Sequence, residues 1–355
     1  PVADATTDPG AALTGPASPS NQALADAPRI AIETDRVIGS LSALGGRIDD
    51  LRLKDYRTVN DPDAPIVTLL APADAQGAYY GTHGWIGADG LTADQVPGPN
   101  TLWTVPEGAT LSVGSPVTLT WSNDIGVSFT KTISIDDEFM FTIEQTATNA
   151  GAAAVSVAPY GRISRVGLPS DLKKFFILHE GLVRMADGEL GETSYDNMQD
   201  YDRNDVERAL ADRVDITEGG WIGFTDHYWM TTLIPDGAFK LVSKYNPMQD
   251  EYIAEAVNPA QPLAPGATIQ TTSQLFAGAK EWEAIRGYQN QGGVDGFLDS
   301  IDWGWFYFLT KPIFAVLHWL NAIIGNMGWS IIALTLIIKA ILLPLAYKSY
   351  VSMAK

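Results

Sequence analysis

All 42 acidic residues of this chain precede Trp303, and the only charges from there to the end are Lys311, Lys339, Lys348 and Lys355. Residues 1–302 carry 19 basic and 42 acidic groups, a net of −23, against +4 for the remainder. Within that remainder GWSIIALTLIIKAILLPLAY, 328–347, is an apolar run with one charge. At 1.5 Å per residue its twenty residues reach about 30 Å, the thickness of a bilayer's hydrocarbon core. The run is expected to span a membrane. A secretory signal would be N-terminal and shorter, and a helix buried in a soluble domain is seldom so long and uniformly apolar. Lysines follow the span and the acidic body precedes it, so the positive-inside rule puts the C-terminal end in the cytoplasm and the body in the periplasm.

The 355 residues suit one large β domain plus membrane elements. The sequence has no cysteine, which excludes a disulfide framework and thiolate metal sites. The acidic balance argues against a nucleic-acid partner, whose phosphates would be repelled. Residues 1–28 hold five prolines, eight alanines and no aromatic side chain, the composition of a flexible linker. From Arg29 the pattern is β-like. VSFTKTISI (127–135) places Val127, Phe129, Ile133 and Ile135 on one face, FMFTIEQTA (139–147) does the same with Phe139, Phe141 and Ile143, and Asp136, Asp137 and Glu138 form a polar turn between them. Similar segments recur at 116–121, 216–226, 228–235, 239–245 and 267–278. Their density predicts a mainly β fold, a large antiparallel sandwich over 29–278. AKEWEAIRGYQNQ opens a helical connector over 279–302.

WGWFYFLTKPIFAVLHWLNAIIGN, 303–326, is apolar but punctuated: Lys311, His318 and Gly325 lie seven apart, with Thr310, Phe314 and Asn321 nearby. A narrow, mostly polar stripe of that spacing predicts an amphipathic helix in the outer interface, anchored by Trp303, Trp305, Phe306, Phe308 and Trp319. A second span turning at Asn326 and Gly328 is the competitor, and it would reverse the placement of the acidic body. Lys339 lies eleven residues into the span, where an unpaired lysine costs roughly 2.5 to 3.5 kcal/mol. Thr335 shares its face one turn earlier, and Pro344 is expected to kink the helix beside it. Lys339 and Thr335 therefore read as the lining of a wet cavity that attracts acidic groups in transit, against a structural ion pair as the plainer reading.

Several motifs of the body fail. His179 and Glu180 begin an HExxH zinc pattern, but its fifth position is Val183; Asp200, Asp202 and Asn204 begin an EF-hand loop, but Asp205 stands where glycine is required and Ala211 where glutamate is. No phosphate-binding GxxxxGK[ST] loop occurs. His83, His227 and His318 have no partners the sequence identifies. Trp221, Phe224, Tyr228 and Trp229 could stack on a sugar, or simply belong to the core, which is the cheaper explanation.

IETDRVIGSLSALGGRIDDLRLKDY, KTISIDDEFMFTIEQTATNAG, GWIGFTDHYWMTTLIP and above all DWGWFYFLTKPIFAVLHWLNAIIGNMGWSIIALTLIIKAILLPLAYKSYVSMAK resemble the periplasmic and first conserved transmembrane part of the YidC-type membrane protein insertases. The resemblance covers nearly everything after the linker. It implies a large twisted β-sandwich ectodomain, similar in architecture to sugar mutarotases although the family is not enzymatic, an interfacial helix at 303–326, a span at 328–347 and the start of a cytoplasmic region at 348–355. It further implies no cofactor, and a hydrophilic groove enclosed by five helices that receives polar segments of nascent inner-membrane proteins, with the Sec translocon and its accessory proteins as helpers. The groove's basic residue is often arginine; here Lys339 holds its place, keeping the charge but losing the forked donor geometry. A first anchor is expected before Pro1 and further groove helices after Lys355. Two other functions compete: a membrane-tethered carbohydrate-binding or mutarotase-like sandwich, with Glu180 or Asp226 near His179 or His227 as acid and base, and a purely structural scaffold.

Overall fold

The alternating segments fold into two sheets. A computed structural model describes residues 21–169, 172, 178–304 and 306–353, and the chain divides into two compact units, Pro1–Ile301 and Asp302–Lys355. In the first unit one sheet has twelve strands and the other eight. Among the described residues the pairing is antiparallel apart from a short parallel contact of Ala31 and Ile32 with Thr110 and Leu111. In the larger sheet Val155–Val166 lies between Tyr79–Gly87 and Glu251–Val257; in the smaller, Thr268–Ala279 lies between Trp229–Pro235 and Met140–Asn149.

The expected hairpin is Val127–Ile135 paired with Met140–Asn149, Ile133 standing opposite Ile143. The Asp136 side chain closes the turn by accepting the N–H groups of Glu138 (3.0 Å) and Met140 (2.9 Å), so the acidic residue is there for its geometry. Trp85, Phe129, Phe141, Trp221, Phe224 and Phe276 are each at most 2% exposed. Each such side chain contributes about 1.5 to 3 kcal/mol by leaving water. Close packing dictates two strand glycines. A Cβ at Gly223 would lie 2.0 Å from the Thr231 carbonyl oxygen, and one at Gly278 would lie 2.2 Å from Cγ of Phe139.

The edges of the sandwich differ slightly from the expectation. Residues 1–20 lie outside the described residues, and the end of the proposed linker, Asn21–Asp26, is a short helix (α1) whose Leu24 is buried. A second short helix, Tyr195–Gln199 (α2), is capped by the Ser194 hydroxyl, which accepts the Asn197 N–H. The sandwich ends at Ala279, one residue past the expected boundary. The connector forms helix Trp282–Asn290 (α3) and a 3-10 turn at Phe297–Ser300. One cation holds α3 in place. Arg36 donates to Asp55 (2.6 Å), to Glu138 (2.5 Å) in the turn of the other sheet, and to Glu281 at the start of α3, while Tyr56 also donates to Glu281. From α3 itself, Tyr288 donates to Asp136 at 2.8 Å and accepts the Phe139 N–H at 3.1 Å.

The second unit is a pair of helices, Tyr307–Ile324 (α4) and Met327–Met353 (α5). α5 continues without a break through most of the region expected to begin the cytoplasmic part, while Trp305 and Lys355 lie outside the described residues. Gly325 takes the left-handed conformation (φ 70°) that ends α4.

Candidate functional site

Leu, Ile and Ala dominate α5, and Met327–Lys348 is long and apolar enough to cross a membrane. The apolar part of α4, Phe308–Ile324, is shorter than a span. Lys339 and Thr335 are both exposed and, four residues apart, share one face of α5. The Thr335 hydroxyl donates to the Ile331 carbonyl at 2.8 Å, which spends its proton and leaves its lone pairs as acceptors. Pro344 lies inside α5 and has no N–H for the Ala340 carbonyl, one residue from Lys339. The face therefore offers one cation and one hydroxyl acceptor, and the carbonyl without its helical donor lies about 100° round the helix from Lys339. No carboxylate side chain exists between Trp303 and Lys355 to neutralise the lysine.

The aromatic residues expected to anchor the interface sit at the start of α4 and along it. Trp303 meets the Phe314 ring edge-on at 5.7 Å, the Lys311 ammonium lies 5.9 Å from the indole centre, and Thr310 donates to the Trp303 carbonyl at 2.9 Å. Phe306, Phe308 and Trp319 are each about two-thirds exposed, which suits side chains that partition into a headgroup layer.

Of the acid and base candidates for sugar chemistry, Asp226 and His179 are engaged elsewhere. Arg165 donates to both oxygens of Asp226, at 3.0 and 2.8 Å, and to the Tyr195 hydroxyl at 3.0 Å; its guanidinium lies 4.4 Å from the centre of the Tyr79 ring. Burial pushes the Tyr195 hydroxyl well above the ordinary phenol range, and because Arg165 lies in the larger sheet and Asp226 directly follows a strand of the smaller one, their ion pair ties the two sheets together. His179 pairs through Nε2 with the Leu182 carbonyl. The four aromatic residues divide: Trp221 and Phe224 are core, Tyr228 is exposed, and Trp229 packs half-buried against Tyr56. A cavity between the sheets lined by His83, Gln145, Thr271 and Ser273 measures about 10 Å³, room for one water and none for a sugar. Among the described residues no cluster of metal-ligating side chains occurs.

Sequence reasoning missed three buried charge centres. Lys131 is 1% exposed, donates to the His83 carbonyl at 2.6 Å and lies 4.7 Å from the Trp103 ring centre. Burial, with Arg47 adding to it, brings its ammonium down to about 7. Lys244 bridges two fully buried carboxylates, Glu207 at 2.7 Å and Glu255 at 2.6 Å, each of which also meets an arginine, Arg213 and Arg162 respectively. Arg165 with Asp226 is the third. Lys131 was signalled, since it takes an inward position in the alternation of 127–135; the other two were not.

A large sandwich, a shorter apolar helix and one helix long and apolar enough to cross a membrane, with a central base, define a membrane-anchored ectodomain. Residues 29–316 match the family model of the YidC periplasmic domain, and the chain belongs to that family. It is 59% identical over 335 residues to the membrane protein insertase YidC of Roseobacter denitrificans, covering 94% of this chain and 55% of that protein. The corresponding protein of Dinoroseobacter shibae is 55% identical over 349 residues, covering 98% and 57%. The chain thus spans little more than half the length of these relatives. The setting is the bacterial inner membrane, with the sandwich in the periplasm. Solved structures with some likeness include a putative aldose 1-epimerase from Escherichia coli K12, TM-score 0.44 at 11% identity, covering 70% of this chain and 98% of that one. A galactose mutarotase-like protein from Lactobacillus casei has TM-score 0.42 at 12% identity, covering 70% and 100%. Likeness of that size carries no argument for sugar chemistry.

Proposed function

We propose that this chain is the ectodomain and a groove-lining helix of an insertase for inner-membrane proteins. Lys339 carries the proposal. A base at the middle of a candidate span, on a stretch of chain without any carboxylate, is costly unless it faces water or a passing anion. Such a base lowers the cost of drawing an acidic segment part-way into the membrane, while Thr335 on the same face supplies an acceptor for its peptide N–H groups. No covalent step is required. The substrates are nascent inner-membrane proteins, received alone or together with the Sec translocon and its accessory proteins. The α4 aromatics hold the outer interface, and Pro344 loosens the backbone at the groove.

The test uses the full-length protein in cells depleted of their own insertase, with insertion of a small acidic-tailed membrane protein as readout. At matched abundance Lys339→Ala fails and Lys339→Arg works. Full activity of the alanine variant would remove the charge from the mechanism.

A further inference from the structure

Ser330 is completely buried, although α4 and α5 are otherwise almost wholly exposed or half-buried. Only one other described residue of this unit, Leu320, is buried, at 8% exposed. Leu320 and Ser330 each lie five residues from Gly325, so both sit about 7.5 Å along their helices from the elbow, at one level. Each half of that elbow is closed by its own hydrogen bonds. The Gly325 N–H donates to the Asn321 carbonyl at 2.8 Å, ending α4, and the Asn326 side chain accepts the Trp329 N–H at 3.2 Å, starting α5. Ser330 donates to the Asn326 carbonyl twice, from its N–H at 3.0 Å and from its hydroxyl at 2.8 Å. Its hydroxyl is thereby folded back on its own helix. What remains for the neighbouring helix to meet is little more than a methylene group.

We infer that Ser330 is a positioning residue: its small size at the closed end of the elbow sets the angle at which α4 leaves α5. Small side chains let two helices approach closely without lipid between them, and a branched side chain at the same place wedges them apart. The elbow then carries the interfacial aromatics of α4 and the groove face of α5 in a single frame, so that Lys339 keeps a fixed depth relative to the outer interface. This last step rests on the insertase reading; the elbow geometry does not.

Residues 1–355 contain no cysteine, and any cysteine elsewhere in the full-length protein is first replaced by serine. Spin labels at Val316→Cys and Leu336→Cys, both exposed positions, report the α4 to α5 distance in the full-length protein in bilayer nanodiscs. Ser330 and Ser330→Ala give the same narrow distance distribution, whereas Ser330→Val broadens it and Ser330→Leu displaces it. In depleted cells, insertion by Ser330→Leu falls several-fold at equal abundance, and Ser330→Ala inserts normally. An unchanged distance in Ser330→Leu overturns the positioning role, as does an alanine variant displaced as far as leucine, which would make the hydroxyl the active element. A displaced elbow with undiminished insertion overturns the functional half. Failure of the unsubstituted protein to insert, with its distance distribution narrow, counts against the insertase reading and leaves the elbow standing.

Discussion

Replacing Lys131 by methionine stabilises the sandwich at neutral pH and flattens its pH dependence. The ammonium of this buried side chain titrates near 7, against an ordinary value of 10.5. Between those two values the unfolded chain binds the proton and the folded one releases it, so stability rises with pH across that window. The cost to the fold is fully present below about pH 7 and gone above about pH 10.5. At pH 7 it amounts to about 4 kcal/mol and at pH 9.5 to about 1.5 kcal/mol, a slope worth about 3 kcal/mol. Methionine removes the charge but also the hydrogen bond to the His83 carbonyl and the contact with the Trp103 ring. Leaving that carbonyl short of a partner returns about 1 to 3 kcal/mol. The net expectation at pH 7 is a gain of about 1 to 3 kcal/mol, read as a higher urea midpoint by tryptophan fluorescence. At pH 9.5 the order reverses or the two proteins converge. Identical pH slopes for the two proteins between 7 and 9.5 would refute the reasoning, because they would mean that Lys131 keeps its proton in the folded state.

Lys244→Met strands Glu207 and Glu255 in the sheet beside only one arginine each, and should cost about 3 to 5 kcal/mol in the same denaturation assay. Gly223→Ala forces a methyl group against the Thr231 carbonyl, and a loss of at least about 2 kcal/mol is expected, with the midpoint shifted and the slope unchanged. Arg36→Met removes the cation shared by Asp55, Glu138 and Glu281, all partly exposed, so global stability falls by only about 1 kcal/mol. Amide exchange across α3 nevertheless accelerates selectively, with the Thr268–Ala279 strand unaffected; equal acceleration in both would rule out a local latch.

Local chemistry was legible and distant pairing was not. The hairpin at 127–149 could be read because alternation and an acidic turn are both contained within a few residues of one another. Lys339 stands out in the sequence because the apolar run around it is itself local, and its role is the one proposed above. The aromatic run at 219–235 was half right: Trp221 and Phe224 lie within a strand and are buried on its two faces, Phe224 against Tyr79 of the other sheet and Trp221 against Phe297 of the connector, whereas Tyr228 falls at the turn that starts the next strand. Asp226 looked like a free acid because Arg165 stands 61 residues away in sequence. The same distance problem hid Lys244 among its carboxylates. Ser330 was hidden for a different reason, since a serine in an apolar helix reads as a minor blemish until its neighbour across the elbow is known.

The latch on α3 also orders events during synthesis. Arg36 leaves the ribosome 245 residues before Glu281. Bringing ends so far apart together in a slack chain costs about 5 kcal/mol of loop entropy, more than one exposed ion pair returns. The contact therefore forms only after both sheets have already drawn the first strands and the last strand side by side. Until then the segment leading into the membrane helices is undocked. A sandwich that stalls half-folded leaves α3 loose, and one that finishes fixes it, so completion of the domain is recorded in the last helix the chain makes before it leaves that unit.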